Sequence, residues 1–473
     1  MMTYLLIPEI MLTIGLLIII LVDLFVTNKK FSFVLIQILL LVVIYHALSY
    51  REFSIYYSSY DLNQFTHLLK IVLLVGSLII FHYTFKHLKY LKEYQSDYFS
   101  ISLLGVLGSM VMISSKSLLM LYLGIELLSL ALYALIASNK KSSLSSEAAI
   151  KYYVLGAMSS GILLFGISLI YGFTGSIYYD DISRFLSNIN NQSIEYMGVV
   201  FGIIFITASL CFKFGAAPFH MWVPDIYQGS LISTTILLST LPKIAVFVVF
   251  LKLFYIAFIA IENIWADILI FVGTLSIIIG SIFALTQTNI KRLLGYSAIS
   301  NIGFIILSLG LTTESGLQAS FYYALVYSLT ALASFGIITH ITVNSLGVEE
   351  ISGLSGLYKT HPFFAILILI TMLSSAGIPP LIGFHAKLIV IQSIIDSSML
   401  WLAILVILMT VVSAYYYLKV IKTIYFDERS DLISVIPGSN LVLTINVILL
   451  LAMGIMPSIV YDISSYIVNS LSL

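Results

Sequence analysis

Fourteen apolar segments follow one another along the chain, each close to the roughly 20 residues that an α-helix needs to cross a bilayer. They lie at approximately residues 4–26, 31–49, 65–85, 98–114, 117–137, 149–173, 196–217, 231–256, 264–286, 293–311, 317–342, 363–395, 400–425 and 440–467. Hydrophobic residues make up 60% of the sequence and charged residues only 9%, whereas a soluble domain carries about 25% charged residues. The sequence therefore predicts an all-α integral membrane protein with about 14 transmembrane helices.

The charged and sulfur-containing residues exclude several classes of function. Lys and Arg total 22, as do Asp and Glu, and this balance gives no indication of nucleic-acid binding. The single cysteine, Cys211, excludes an intrachain disulfide and a cysteine-ligated iron–sulfur cluster. The sequence also lacks Gly-rich dinucleotide and Walker motifs and histidine pairs at metal-ligand spacing. We therefore expect neither a cofactor nor a metal in this chain.

Two apolar segments are interrupted by proline, and each carries one lysine. The seventh contains Lys213 and then reaches Pro218, while the twelfth is divided by Pro379-Pro380 and carries Lys387 behind the division. A charge within a bilayer-length segment costs about 2.5–3.5 kcal/mol and marks an ion or proton path. Broken helices in corresponding halves of a membrane protein point to a transport site. Lys213 and Lys387 are therefore candidate transport residues, although a lysine near a helix end can also extend to the membrane interface.

Two further charges stand alone in apolar stretches, Glu126 in Ser117–Ala137 and Lys243 in Leu231–Leu251. Glu126 lies in the middle of the fifth segment, and Lys243 follows Pro242 in the eighth. An isolated carboxylate in a bilayer is either protonated or paired, and we expect Glu126 to pair with Lys213 and to control its charge by moving closer or farther away. A structural glutamate bonded to a neighbouring hydroxyl is the alternative. Lys243 either extends a polar row through the bundle or makes a structural pair.

The remaining candidates carry weaker signals. Lys151 follows Glu147 by four residues, the favoured order for a helical ion pair, so an interfacial pair explains it as well as a function does. His220 and His340 have side chains suited to proton relay, although lone histidines in apolar helices are more often simply hydrogen-bonded. Glu9 stands near the start of the first segment, where we expect an interfacial position.

A faint internal repeat relates the sixth and eleventh segments. Residues 149–155 align with 319–325, and the same register matches Phe165-Gly166 with Phe335-Gly336. Each of these segments precedes a broken one. Because the two copies are five segments apart, the second must be inverted relative to the first, as in many transporters.

Four stretches resemble motifs of the antiporter-like subunits of respiratory complex I, the NADH:quinone oxidoreductase. They are residues 147–156, 213–230, 289–297 and 375–384. Among these subunits the chain is most similar to subunit N, which is chain 2 in mitochondrial naming, because Lys387 stands where subunit M has a glutamate. The resemblance extends over essentially the whole chain.

This resemblance implies a fold of fourteen helices with two inverted five-helix repeats and broken helices 7 and 12. Helices 1–3 would occupy residues 1–97, the first repeat 98–258, the second repeat 259–430 and helix 14 residues 431–473. It also implies a buried row of charges across the membrane. The residues that match the family's positions are Glu126, Lys213, Lys243 and Lys387, with Lys151 matching a sixth-helix lysine.

The function implied by the resemblance is that of a proton-translocating, non-redox subunit of NADH:ubiquinone oxidoreductase. FMN, iron–sulfur clusters and ubiquinone are then expected in partner subunits, with the antiporter-like subunit M as a neighbour and lipids around the chain. The alternatives are a subunit of a multisubunit sodium/proton antiporter, which shares the fold, and an assembly scaffold that does not pump. The composition leans toward Ile, Phe, Tyr, Asn and Lys, as in AT-rich genomes, so we expect the mitochondrial inner membrane rather than a bacterial plasma membrane.

Overall fold

The structure is a computed structural model, and the part of the chain that it describes has eleven stretches. They are residues 7–25, 29–49, 55–56, 59–90, 96–139, 142–190, 192–343, 346–347, 349–428, 433–436 and 440–469.

Helices dominate the described residues, as expected for the all-α class. The α-helices are α1 Ile7–Phe25, α2 Lys29–Ser49, α3 Gln64–Tyr90, α4 Ser96–Ser114, α5 Leu118–Ile136, α6 Ser143–Thr174, α7 Tyr179–Asn188, α8 Ile194–Phe214, α9 Trp222–Gly229, α10 Ile232–Lys252, α11 Glu262–Leu285, α12 Ile290–Gly310, α13 Glu314–Ile338, α14 Leu357–Thr360, α15 Pro362–Ala376, α16 Ile382–Asp396, α17 Leu400–Phe426, α18 Leu441–Ile455 and α19 Ser458–Asn469. A π-helical turn, Leu253–Ala257, continues α10, and short 3₁₀ turns lie at Ile259–Ile261 and Ile351–Leu354.

Short strands occur in the connections between helices. They are β1 Ile55–Tyr56, β2 Asp61–Leu62, β3 Ile341–Val343, β4 Leu346–Gly347 and β5 Ile433–Val435. β1 and β2 form an antiparallel pair, and β3 lies between β4 and β5 in a second antiparallel sheet. The hydropathy pattern gives no sign of these strands because each has only two or three residues.

Twelve of the predicted segments are single helices long and apolar enough to cross a membrane, counted over the described residues. The twelfth segment is instead the helix pair α15 and α16, separated at Gly377 and the two prolines, as the predicted break requires. The fourteenth segment, expected as one helix, consists of two helices, α18 and α19, that meet at an angle of 88°. Pro457 lies at this bend and supplies no backbone N–H to continue α18.

The chain divides into two compact units. The first comprises the described residues within Met1–Phe214 and Leu241–Glu262. Within it, α6 and α8 approach so closely that Gly166 has no room for a side chain. A Cβ atom there would lie 2.7 Å from the carbonyl oxygen of Gly202. Small residues at such crossings let transmembrane helices pack backbone to backbone, and this contact sets α8 against the face of α6 that carries Ser159 and Ser160.

The second unit comprises Gly215–Thr240 and Asn263–Asn469. Helix α13 is its centre, packed against α12, α15, α16, α18 and α19. Its start is fixed by Thr313, whose side chain accepts a hydrogen bond from the backbone N–H of Gly316, and Asn289 caps the start of α12 in the same way. Both α12 and α13 pack against α16 of the broken pair, and α13 also packs against α15.

Candidate functional site

Lys213 and Glu126 are linked through a serine in the first unit. Lys213 lies in the last turn of α8 and is 8% exposed. Its ammonium donates hydrogen bonds to the hydroxyls of Ser129, at 2.9 Å, and Ser160, at 3.4 Å. The Ser160 hydroxyl in turn donates to the Glu126 carboxylate. The result is a relay from an ammonium through a hydroxyl to a carboxylate.

This geometry refines the expected pairing of Glu126 with Lys213. In the described part of the chain these two side chains form no direct ion pair within 4.0 Å, and Ser160 stands between them. The expected alternative, a glutamate bonded to a neighbouring hydroxyl, is therefore also present. The sequence did not single out Ser160, because a contact between α5 and α6 leaves no trace in the spacing of either segment.

The relay is held by contacts between α6 and α8. Ser159 directly precedes Ser160 in α6, and its hydroxyl lies 2.9 Å from that of Ser209 in α8. The Ser209 hydroxyl also donates to the carbonyl oxygen of Ser159 at 2.8 Å. These bonds lie next to the relay but do not belong to it. They fix the register in which Ser160 meets Lys213.

Lys243 belongs to α10, and its side chain reaches the end of α8. Its ammonium lies 2.7 Å from the carbonyl oxygen of Phe214 and 3.5 Å from that of Lys213. Helix α8 stops there because Gly215 has a φ of 82°, and its last carbonyl oxygens therefore have no partner within the helix. A cation at this position satisfies them and matches the negative end of the helix dipole. Lys243 is thus adjacent to Lys213 through the backbone of α8.

Lys387 has a comparable position in the second unit. Its ammonium donates to the carbonyl oxygens of Ser375 and Ala376, both at 3.0 Å, and to the Ser413 hydroxyl at 3.4 Å. Ala376 ends α15, and the next residue, Gly377, has a φ of 84°. A Cβ atom on Gly377 would lie 2.8 Å from Cδ of Lys387. Glycine is therefore required there both by the backbone and by the lysine side chain.

A polar cavity of about 20 Å³ adjoins Lys387. Its walls include Asn301, Tyr323, Tyr327 and Ser375, and the Tyr323 hydroxyl donates to the side-chain carbonyl of Asn301 at 2.9 Å. A cavity holds one water molecule when its volume reaches about 10–15 Å³ and it offers polar partners. This space therefore admits a water molecule within reach of the lysine.

The weaker candidates lie in less specialised surroundings. Lys151 pairs with Glu147 at 2.8 Å on the exposed side of α6, with side-chain exposures of 44% and 58%, so the helical ion pair weighed above is formed. The Nδ1 atom of His340 lies 2.8 Å from the carbonyl oxygen of Gly336, one turn earlier at the end of α13. His220 is buried in the turn between α8 and α9, where its carbonyl oxygen accepts from the N–H of Val223.

Lys291 belongs to the same class of contact, although it was not among the candidates predicted from the sequence. Its ammonium donates to the carbonyl oxygens of Gln228, at 2.7 Å, and Ser230, at 3.1 Å, at the end of α9. The neighbouring Arg292 forms an ion pair with Asp225 at 2.6 Å. The signal was available, since both basic residues stand in the 289–297 motif. Among the described residues, no group of three or more His, Cys, Asp or Glu side chains is placed to hold a metal ion.

Buried lysines at the ends of interrupted helices, in a multi-pass membrane fold, define an antiporter-like membrane subunit. The family model described as "NADH:quinone oxidoreductase/Mrp antiporter, TM" matches residues 115–413. The NADH-quinone oxidoreductase subunit N of Ruthia magnifica subsp. Calyptogena magnifica is 41% identical over 457 residues, 95% of this chain and 94% of the relative. The chain therefore belongs to the NADH-quinone oxidoreductase subunit N family.

Solved structures agree with this assignment. A chain of respiratory complex I from Thermus thermophilus matches with a TM-score of 0.81 at 25% identity, covering 96% of this chain and 98% of its own. A chain of the Mrp complex from Dietzia sp. DQ12-45-1b matches with a TM-score of 0.84 at 19% identity, covering 98% and 97%. The second likeness shows the fold alone.

Proposed function

We propose that this chain translocates protons as a non-redox membrane subunit of an NADH-quinone oxidoreductase. The observation that carries the proposal is the relay from Lys213 through Ser160 to Glu126 inside the transmembrane region. A buried ion pair gives little net stability because removing its charges from water is costly. Four ionisable side chains kept in apolar helices, Glu126, Lys213, Lys243 and Lys387, are therefore better explained by transport than by folding.

The relay allows a proton to move without a solute site. In the charged state, the ammonium of Lys213 donates to Ser160 and Ser160 donates to Glu126. Shifting one proton along each bond leaves a neutral amine and a neutral carboxylic acid, and so conserves the total charge. Burial disfavours the ions and their mutual attraction favours them. A small displacement of α5 against α8 therefore changes which form is stable, and this is how a conformational change elsewhere in the complex would drive the proton.

In the second unit we propose that Lys387 exchanges its proton with water in the adjoining cavity. The three acceptors around its ammonium, two carbonyl oxygens and the Ser413 hydroxyl, favour the charged form. Asn301 and Tyr323 are placed to hold a water molecule that would carry the proton away. The predicted repeat boundaries and the order in which the lysines act remain part of this proposal.

The proposed setting is a multisubunit complex. FMN, iron–sulfur clusters and ubiquinone would lie in partner subunits, and the antiporter-like subunit M would be a neighbour. The relative described above is bacterial, as is the source of the matching complex I chain. These matches favour a bacterial plasma membrane over the mitochondrial inner membrane that the composition suggested.

Replacing Lys213 by methionine in the assembled complex tests the proposal. We expect normal assembly, with proton pumping per NADH oxidised reduced several-fold when the complex is reconstituted in liposomes. Unchanged pumping would refute it. A scaffold would instead lose assembly in Lys213→Met and Glu126→Gln variants.

The sodium/proton antiporter is the second candidate, favoured by the fold shared with the Mrp complex chain. Co-purification separates the two candidates. Flavin and iron–sulfur subunits accompany the chain in an oxidoreductase, whereas sodium-dependent proton exchange without them identifies an antiporter.

A further inference from the structure

Three ion pairs in the first unit play no part in the relay. Lys70 of α3 pairs with Glu9 of α1 at 2.6 Å, and Lys252 at the end of α10 pairs with Asp61 of β2 at 3.1 Å. Lys116, between α4 and α5, pairs with Asp180 of α7 at 2.9 Å. We name this group the ion-pair series. Glu9, near the start of α1, is thus buried within the protein and paired.

Burial decreases in steps along the ion-pair series. The side chains of Lys70 and Glu9 are 0% and 8% exposed, those of Lys252 and Asp61 are 2% and 10% exposed, and those of Lys116 and Asp180 are 16% and 47% exposed. The series therefore leads from the interior of the unit to a carboxylate that water reaches.

Successive pairs of the series lie close together. The Lys252 ammonium interacts electrostatically with those of Lys70 and Lys116. It also donates to the carbonyl oxygen of Ser115 at 3.2 Å, next to Lys116 in the chain. Tyr60 precedes Asp61, and its ring centre lies 5.3 Å from the Lys70 ammonium. Burial, and then the Glu9 carboxylate, raise the pKa of the Tyr60 phenol well above its usual value, so the phenol keeps its proton.

Stability does not account for the series. Buried ion pairs are often replaced by apolar residues without loss, since desolvation offsets the attraction. The π-helical turn Leu253–Ala257 begins directly after Lys252, and such turns are frequent at functional sites. Lys252 also shares α10 with Lys243, nine residues earlier, about 14 Å along the helix.

We propose that the ion-pair series is a proton-access path between water at Asp180 and the interior of the first unit. This deepens the function proposed above and rests on it. At each pair, the lysine N–H bond breaks as the carboxylate O–H bond forms, which leaves a neutral amine and a neutral acid. The amine then accepts the next proton and the acid releases its own, so that one proton advances and both groups are restored.

Arginine variants test whether the lysines must release protons. Lys252→Arg and Lys70→Arg preserve the positive charge and the ion pair, but a guanidinium does not deprotonate in proteins. The whole complex, reconstituted in liposomes, would be assayed for NADH oxidation and for protons pumped per NADH. We expect normal assembly and at least a twofold fall in pumping per NADH for each variant.

Neutral double variants provide a second test that does not require room for arginine. Glu9→Gln with Lys70→Met, and Asp61→Asn with Lys252→Met, remove each pair without leaving a lone charge. We expect the same fall in pumping. The matched control is Asp181→Asn with Arg184→Gln, which removes an ion pair of 3.0 Å with side-chain exposures of 44% and 76% and should pump normally.

The outcomes separate this inference from the function on which it rests. Normal pumping in both sets of variants would overturn the access path. Failure of both sets to assemble would also overturn it, because that failure is expected if the ion pairs only hold the helices together. Lys213→Met is measured in the same assay. If Lys213→Met lowers pumping and the variants of the series do not, only the access path is lost, and if Lys213→Met has no effect, the proposed function itself is wrong.

Discussion

The Lys243 ammonium donates a 2.7 Å hydrogen bond to the carbonyl oxygen of Phe214, the residue at which α8 ends. Lys387 makes the equivalent contact with Ala376 at the end of α15, and Lys291 with Gln228 near the end of α9. In each case a helix stops inside the protein and a buried lysine takes the place of the missing helix N–H donors. Interrupting a transmembrane helix thus creates the acceptor site that holds a lysine in the membrane.

This arrangement predicts different results for two Lys243 variants. Lys243→Met leaves the carbonyl oxygen of Phe214 without a partner, which costs about 1–3 kcal/mol, and should reduce both the thermal stability of the complex and its pumping. Lys243→Gln retains an N–H donor but carries no transferable proton. It should assemble with near-normal stability and still pump several-fold less. Equal stability and equal pumping in Lys243→Gln and the unmodified complex would contradict the proposed role.

The Ser160 hydroxyl is the predicted link between Lys213 and Glu126. Ser160→Ala removes the link with almost no change in volume, and we expect pumping per NADH to fall on the order of tenfold, less than the 10²–10⁴-fold of a lost acid–base group, because water partly replaces a hydroxyl. Ser159→Ala is the matched control, since it removes the contacts of the Ser159 hydroxyl with Ser209 and leaves the relay in place. A similar effect of both variants would show that the serines only hold α6 to α8.

The sequence was sufficient to predict the helices and to select the candidate charged residues, but not to predict the contacts between them. Hydropathy suffices to locate bilayer-length segments, and a lone charge such as Glu126 or Lys213 is conspicuous within one. The serine between them is not conspicuous, because Ser160 is one of several hydroxyl residues in α6. Lys70 shows the same limit, since it lies inside the third segment but its partner Glu9 is 61 residues away in the chain. Side-chain pairing across helices depends on packing, which the spacing within one segment does not report.

Gly377 offers a test of how Lys387 is held. Gly377→Ala places a side chain at a φ of 84°, which costs about 1–2 kcal/mol, and drives Cβ against the lysine side chain. Gly175→Ala is the control, because Gly175 also has a positive φ, 70°, but a Cβ there meets nothing within 4 Å. Both variants should lower thermal stability, Gly377→Ala by at least as much as Gly175→Ala. Only Gly377→Ala should also lower pumping. Equal pumping in the two variants would show that Lys387 takes no part in the transport step.

Variants of two adjacent tyrosines of α13 test whether the polar cavity at Lys387 takes part in proton transfer or whether these tyrosines only pack. Tyr323→Phe removes the hydroxyl that donates to Asn301 at the cavity, and we expect pumping per NADH to fall several-fold with little change in assembly. In Tyr322 the hydroxyl is buried without a hydrogen-bond partner among the described residues. Tyr322→Phe therefore removes a desolvated polar group and should leave stability unchanged or slightly raised. Pumping and thermal unfolding of the two variants are measured side by side. If Tyr323→Phe pumps as well as Tyr322→Phe, water held by Asn301 and Tyr323 does not carry the proton from Lys387.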